Sequence, residues 1–303
     1  MNPDTTAPDA TSHQTTNTQR LLGADLLLTD WNDLLARHAH IHPPEAARLL
    51  DVPEAALTAC RIGSGAVRLK PVLPALLKPI ENWGRVLCAF SNASGVHMPL
   101  GDVTLSQEPT HVVLEGDHMY AQIDDSAITD AYLLIDKDES HGNTRSIQFF
   151  DSSGAAVLKV FAFHKTKFVE AEQHLLSLTS SNQNRAVTLL AAREALFDAD
   201  SASRAMDPDL APREGNALDI VQSLFQRSGA YEIELVARHA RATWTGTLSG
   251  ARVDADIFHL HEADIRSHLR FAPLTHVGKT RSGATSFGDG DRRFLRIHRE
   301  EGQ

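Results

Sequence analysis

The stretch RSIQFFDSSGAAVLKVFAF, residues 145–163, decides the fold. Two runs rich in Ile, Phe and Val flank Asp-Ser-Ser-Gly, the pattern of two antiparallel strands joined by a glycine-containing turn. One residue interrupts the second run: Lys159. On a strand with one wet face, a lysine can lay its stem along apolar surface and keep its ammonium hydrated. The alternative is a cation placed for an anionic group such as a carboxylate.

Outward from this hairpin, VLCAF, HVVLE and AYLLI are further β-prone runs between Arg85 and Phe163, and together they predict an antiparallel meander. Ahead of it, from Asp30 to about Gly65, the signals are helical: Asp30 as an N-cap, Pro43 and Pro44 before EAARLL, and VPEAALTACRIG from Pro53 to Gly63. Such a helix pair could bind DNA, but Glu45, Asp51 and Glu54 offset Arg48 and Arg61, whereas DNA recognition needs surplus positive charge. Behind the hairpin a helical period runs from Val169 to about Ser203. DADSASRAMDPDLAPREGN, 198–216, then reads as a linker. Leu218, Val221, Leu224 and Phe225 form one more helical face, ending at Gly229. Strand-like runs resume in YEIELVA, RATWTG, DIFHL, SHLRFA and RFLRI.

Helix followed by strands thus occurs twice, and the two copies align. SFGDGDRRFLRI, 286–297, laid on FFDSSGAAVLKV, 149–160, pairs Phe287 with Phe150, Leu295 with Leu158, Arg296 with Lys159 and Ile297 with Val160. LVARHARATWTG, 235–246, falls on CAFSNASGVHMPLG, 88–101, near their shared Gly. The expected fold class is α+β, a tandem duplication of a helical segment plus an antiparallel β-sheet. The expected division is a disordered tail 1–29, a first repeat 30–168, a helical segment and linker 169–216, and a second, shortened repeat 217–303.

The chain has 303 residues, 42% apolar and 22% charged, with a formal charge of −10, which disfavours a nucleic-acid backbone as the main partner. Two cysteines, Cys60 and Cys88, leave no disulfide framework. The opening residues are polar and Thr-rich, LLGADLLLTDW lacks the flanks of a signal peptide, and no run approaches the roughly 20 apolar residues of a membrane span. A cytoplasmic location is expected.

SIQFFDSSGAAVLKVF resembles the hairpin of the bacterial HemS/ChuX-type cytoplasmic heme proteins, also called hemin-degrading factors. EAARLLDVPEAALTACRIGSGAVRL is similar to the leading helical segment of that family, NASGVHMPLGDV to its N-x-x-x-V-H-x-x-x-G strand and turn, and DIFHLHEADIRSHLR to its second-half segment ending in His-Leu-Arg. The resemblance covers about residues 31–300 and implies the two-repeat, HemS-like form. It implies a heme-binding protein of intracellular trafficking, sequestration or utilisation of heme, and so of iron transport. Some relatives are reported to open the porphyrin ring, so the resemblance leaves catalysis undecided: the reading leans toward a carrier, and an enzyme of this type would be an oxygenase-like heme-degrading one. The implied partners are heme, a heme uptake transporter or downstream heme enzyme, and a second copy of the chain; nucleic acid and membrane insertion are not expected.

The chain departs from the family pattern at the iron. Two-repeat members carry the axial histidine on the helical segment opening the second half, but here the only histidine between Gln173 and Arg238 is His174, too early to match. Ser91 replaces a family arginine, Ile128 and Thr129 replace a His-Trp-like pair, and Trp244-Thr245-Gly246 replaces His-Thr-Gly. Asn92, His97, Lys159, His268, Arg270 and Lys279 match family positions. Heme iron needs an axial donor, and its propionates want Lys or Arg. His97 and His268 are therefore the candidate iron ligands, and Lys159, Arg270, Lys279 and Arg296 the candidate propionate partners. Each histidine has a structural alternative as a hydrogen-bonded residue without chemistry. His259 and His261 share one strand face and could chelate a metal with Glu262 or His268. His38, His40 and His42 read as solvated caps at a helix end. No G-x-S-x-G, H-E-x-x-H, Walker loop or G-x-G-x-x-G appears. The rival to a heme carrier is a HemS-like relative without heme that serves as a regulatory or protein-interaction module.

Overall fold

The computed structural model describes residues 10–38, 41–138, 142–162, 166–188, 211–212, 217–225, 228–254, 257–270, 274–279, 283–289 and 292–299. It is α+β, built on two antiparallel nine-stranded sheets with few helices. The first sheet runs β1 (Ala66–Leu69), β7 (Ile128–Asp138), β8 (Gly142–Asp151), β9 (Ala156–Ala162), β2 (Val86–Asn92), β3 (Gly95–Gly101), β15 (Ile265–Arg270), β14 (Ile257–His261) and β13 (Arg252–Asp254). The second runs β10 (Ala211–Pro212), β16 (His276–Lys279), β17 (Thr285–Asp289), β18 (Arg292–Arg299), β11 (Gly229–Val236), β12 (Ala240–Leu248), β6 (Met119–Ile123), β5 (Val112–Gly116) and β4 (Val103–Gln107). The two orders match position by position: six strands of one half, then three from the other.

The simple meander expected for 85–163 is therefore corrected. β4, β5 and β6 leave the first sheet and extend the second through β6 against β12, while β13 to β15 return the exchange through β15 against β3. Both expected units are thus locked into both sheets.

The opening hairpin is β8 and β9. Its turn is closed by Asp151, whose Oδ1 accepts from Ser153 N at 2.8 Å, Ser153 Oγ at 2.6 Å and Ala155 N at 3.1 Å, while Gly154 takes φ +80°. A bulge follows Phe149, and a matching one follows Phe287 in the pair β17–β18. By register Phe287 then corresponds to Phe149, which pairs Leu158 as Phe287 pairs Leu295, so the expected match to Phe150 is off by the bulged residue. The match of Arg296 to Lys159 holds in register: Lys159 lies opposite Ala89 and Arg296 opposite Glu234.

Alternation along the strands gives each sheet an inner and an outer face. The inner faces meet in one core containing Cys88, Phe90, Phe149, Leu158, Leu114, Ile233, Leu235 and Trp244, joined by Leu73, Leu76 and Leu77 of α4 (Leu73–Leu77) and by Ala171 and Leu175 of α5 (Phe168–Ser177). Burying each large side chain contributes about 1.5–3 kcal/mol. Asn92 ties the sheets together at one end, its Nδ2 donating at 2.8 Å to the carbonyls of both Val236 and Phe294.

The helices lie against the outer face of the first sheet and around the core. α1 (Ala10–Arg37) begins well ahead of Asp30, which sits within it rather than capping it, and it crosses the expected boundary at residue 29. α2 (Pro43–Leu49) starts with its prolines in the first turn, and α3 (Glu54–Ala59) follows Pro53 as N-cap. Ala55 and Ala59 of α3 pack on Ala66, Tyr132, Leu134 and Phe150. α5 stops at Ser177, short of the helical period expected to Ser203, and the segment 189–203 with nearly all of the expected linker lies outside the described residues. α6 (Ala217–Leu224) carries Val221 into the core, and β11 begins at Gly229.

Candidate functional site on the outer face of the first sheet

Lys159 is neither a snorkelling surface cation nor free for a ligand. It is 8% exposed and forms an ion pair with Glu54 at the start of α3. Its stem covers the outer face, and its charge pins the helix there. Arg296, the register equivalent, faces Glu232 across 3.9 Å on the second sheet.

His97 and His268 stand on opposite faces of the first sheet. His97 pairs with Phe90 and Ser267, on the inner side, and is 0% exposed; its Nδ1 is 2.9 Å from Ser267 Oγ. Burial holds its pKa down to about 3, so it is a neutral core residue. Its Nε2 is buried too and has no hydrogen-bond partner among the described residues. His268, one residue along β15 from Ser267, faces outward opposite Val96.

There His268 meets His259 and His261 of β14. His259 is its direct cross-strand partner, with the two Nδ1 atoms 2.7 Å apart, and His261 lies one pleat along, its ring centroid 5.3 Å from that of His268. One Nδ1 of the close pair donates and the other accepts. Burial, then the charges of His259, His261, His42 and Arg266, lower the pKa of His268 to about 4, and burial followed by His259, Arg266 and Arg252 lowers that of His261. These two imidazoles are neutral near pH 7. His42, expected as a solvated cap at a helix end, stands at the N-cap of α2, close enough to act on His268.

Arg266 and Arg270 flank His268 two residues away on either side and so share its face. Arg270 is exposed, as the expected propionate role requires. Lys279 is exposed as well, but it ends β16 of the second sheet, opposite Thr285. The structure therefore unites His268 and Arg270, leaves Lys159 bound to Glu54 on the same face, and separates off His97, Lys279 and Arg296.

Sequence reading missed the floor beside these groups. Leu87, Ala89 and Leu100 form an outer-face apolar cluster with the partly buried Val96, Met98 and Phe161. Val96 pairs with His268 and Met98 with Arg266, so the floor abuts the histidines. Next to it, a cavity of about 450 Å³ opens between α2, α3 and the end of β2, lined by Pro44, Ala47, Arg48, Val52, Ser91 and Ala156 among others. Ser91 pairs with Val96, placing cavity and histidines two strands apart. The alternation of Leu87, Ala89, Val96 and Met98 was the available signal; knowing that β15 lies beside β3 was not.

The second sheet is different at the same register positions. Glu232, Glu234, Arg241, Thr243 and His298 stand where the first has Leu87, Ala89, Val96, Met98 and Phe161. Glu234 is buried, and burial raises its pKa against the opposing pull of Arg241 and Arg296. Among the described residues, only the first sheet offers an apolar outer floor beside a nitrogen donor.

The donor set fits heme: an imidazole, an apolar surface for the macrocycle, and guanidinium groups for carboxylates. Among known proteins, residues 51–177 match the family model of the haemin-degrading HemS.ChuX domain. The hemin transport protein HmuS of Yersinia pestis is 28% identical over 193 residues, 63% of this chain and 54% of that protein. The hemin transport protein HemS of Yersinia enterocolitica is 31% identical over 124 residues, 40% of this chain and 36% of that protein. The chain thus spans about half the length, or less, of these curated relatives. Among solved structures, the holo form of PhuS, a heme-binding protein from Pseudomonas aeruginosa, aligns with a TM-score of 0.76 at 21% identity, covering 92% of this chain and 94% of that one. The heme degrading enzyme ChuS of Escherichia coli O157:H7 gives 0.77 at 17% identity over 92% and 95%. These likenesses establish the fold over nearly the whole chain. The family match, to the haemin-degrading HemS.ChuX domain, takes in α3, α4, α5 and β1 to β9.

Proposed function

We propose that the chain binds heme on the outer face of its first sheet and serves heme trafficking, sequestration or utilisation. The observation that carries this is the apolar floor of Leu87, Ala89, Leu100, Val96 and Met98 beside His268, with Arg266 and Arg270 on either side. His268 supplies the axial nitrogen: with the proton on its Nδ1 shared toward His259, its Nε2 keeps a free lone pair, the arrangement by which a neighbour orients a ligating imidazole. Arg270 and Arg266 take the propionates. His97 acts structurally, and Lys159 serves the fold through Glu54.

The family likeness supports a carrier of the cytoplasm that receives heme from an uptake system and passes it to a downstream enzyme. No helix among the described residues is long and apolar enough to cross a membrane. The matching strand orders of the two sheets support a tandem duplication in which the halves exchanged three strands. In this reading only the first half's sheet kept a heme-facing surface, and the second, with Glu234, Arg241 and Arg296 on its outer face, became support.

Titration with hemin, followed at the Soret band beside an unrelated acidic protein, tests the reading. A saturable one-to-one transition is expected. Absorbance that rises without saturation, as in the control, would refute it and favour the module without heme.

A further inference from the structure

We propose that in the heme-free protein His259, His261 and His268 form a site for a divalent transition-metal ion of the zinc, cobalt or nickel class, sharing His268 with the proposed heme face. Their donor atoms, one from each ring, all lie within 4.8 Å of one another. No two of the rings stack: the interplanar angles are 79° for His259 with His268, 83° for His259 with His261 and 90° for His261 with His268. The site is held by backbone pairing. His259 and His268 are register partners across β14 and β15, and His261 follows on the same face.

A tetrahedral ion with metal–nitrogen bonds of about 2.0–2.1 Å holds its nitrogens about 3.3 Å apart. The Nδ1 atoms of His259 and His268 are 2.7 Å apart as a hydrogen-bonded pair, so exchanging the shared proton for an ion needs a small opening. Three imidazoles without thiolate or crowded carboxylates select zinc, cobalt, nickel or copper over magnesium and calcium. Glu262, a carboxylate next to the cluster, is instead committed to Ser249, accepting from its N and Oγ at 2.6 Å. His261 is exposed, so the fourth position opens to solvent. Arg252 and Arg266, the arginines that act on His261, favour an anion there, a hydroxide or a carboxylate.

Heme-free protein titrated with Co²⁺ and read by the visible bands of tetrahedral cobalt tests this, with Zn²⁺ added to displace it. Stoichiometric bands are expected, with at least a tenfold weaker affinity in His261→Ala, whose exposed side chain is not needed for folding, and in His259→Ala, while His97→Asn binds as wild type. No bands, or bands unchanged in both variants, would overturn the site. The heme reading is judged separately, by the Soret response of His268→Ala without added metal, so either can fail alone.

Discussion

The strongest test of the inward placement of His97 is the pH dependence of stability. Native His97 has a pKa near 3 against an ordinary value of 6.5, because burial penalises the imidazolium. Between those values the unfolded chain binds a proton that the native chain refuses, so stability falls as pH falls through that window. Between pH 7 and pH 5 the difference in binding amounts to about 2 kcal/mol from this one group, taking about 1.4 kcal/mol per pKa unit. His97→Asn keeps a polar group near Ser267 Oγ and removes the titration. Urea unfolding at both pH values should show wild type losing about 2 kcal/mol more than the variant, with unchanged m. His268 and the remaining histidines titrate in both proteins and cancel. Equal losses would mean that His97 is charged or solvated in the native protein, and the assignment of the two faces would fall with it.

Three further outcomes follow from the packing. Lys159→Ala leaves the partly buried Glu54 without its partner and should cost about 1–3 kcal/mol in urea unfolding, whereas Lys159→Met with Glu54→Leu should recover most of it; equal stabilities for the two proteins would refute the pairing. Gly95 has φ +137°, and a Cβ there would lie 2.0 Å from the carbonyl oxygen of His268, so Gly95→Ala should shift β15, lower the melting temperature and weaken hemin uptake together. Asn92→Ala removes two bonds that join the sheets at one end and should cost about 1–3 kcal/mol by thermal or urea unfolding; a neutral result would mean that water replaces them.

Local elements were legible because local chemistry fixes them. Asp151, Ser153 and Gly154 close the hairpin turn as their types require, and the repeat offset that pairs Lys159 with Arg296 survives in the strand register. The match of Phe287 failed at a bulge, an irregularity that leaves no trace in residue type. The three-strand exchange was hidden because pairing β6 with β12 or β15 with β3 joins residues far apart in the chain, which periodicity does not report. For the same reason His97 and His268 looked interchangeable as ligands: which face is inner depends on the opposing sheet. The partner of Lys159 was equally invisible, since Glu54 reaches it only after α3 docks.

The central claim, that heme is held on the outer face by His268, is tested most directly by comparing hemin affinity in wild type, His268→Ala and His97→Asn from Soret titrations. The account predicts at least about a tenfold loss, or 1.4 kcal/mol, for His268→Ala and an unchanged affinity for His97→Asn. Loss in His97→Asn with retention in His268→Ala would put the iron between the sheets and contradict it.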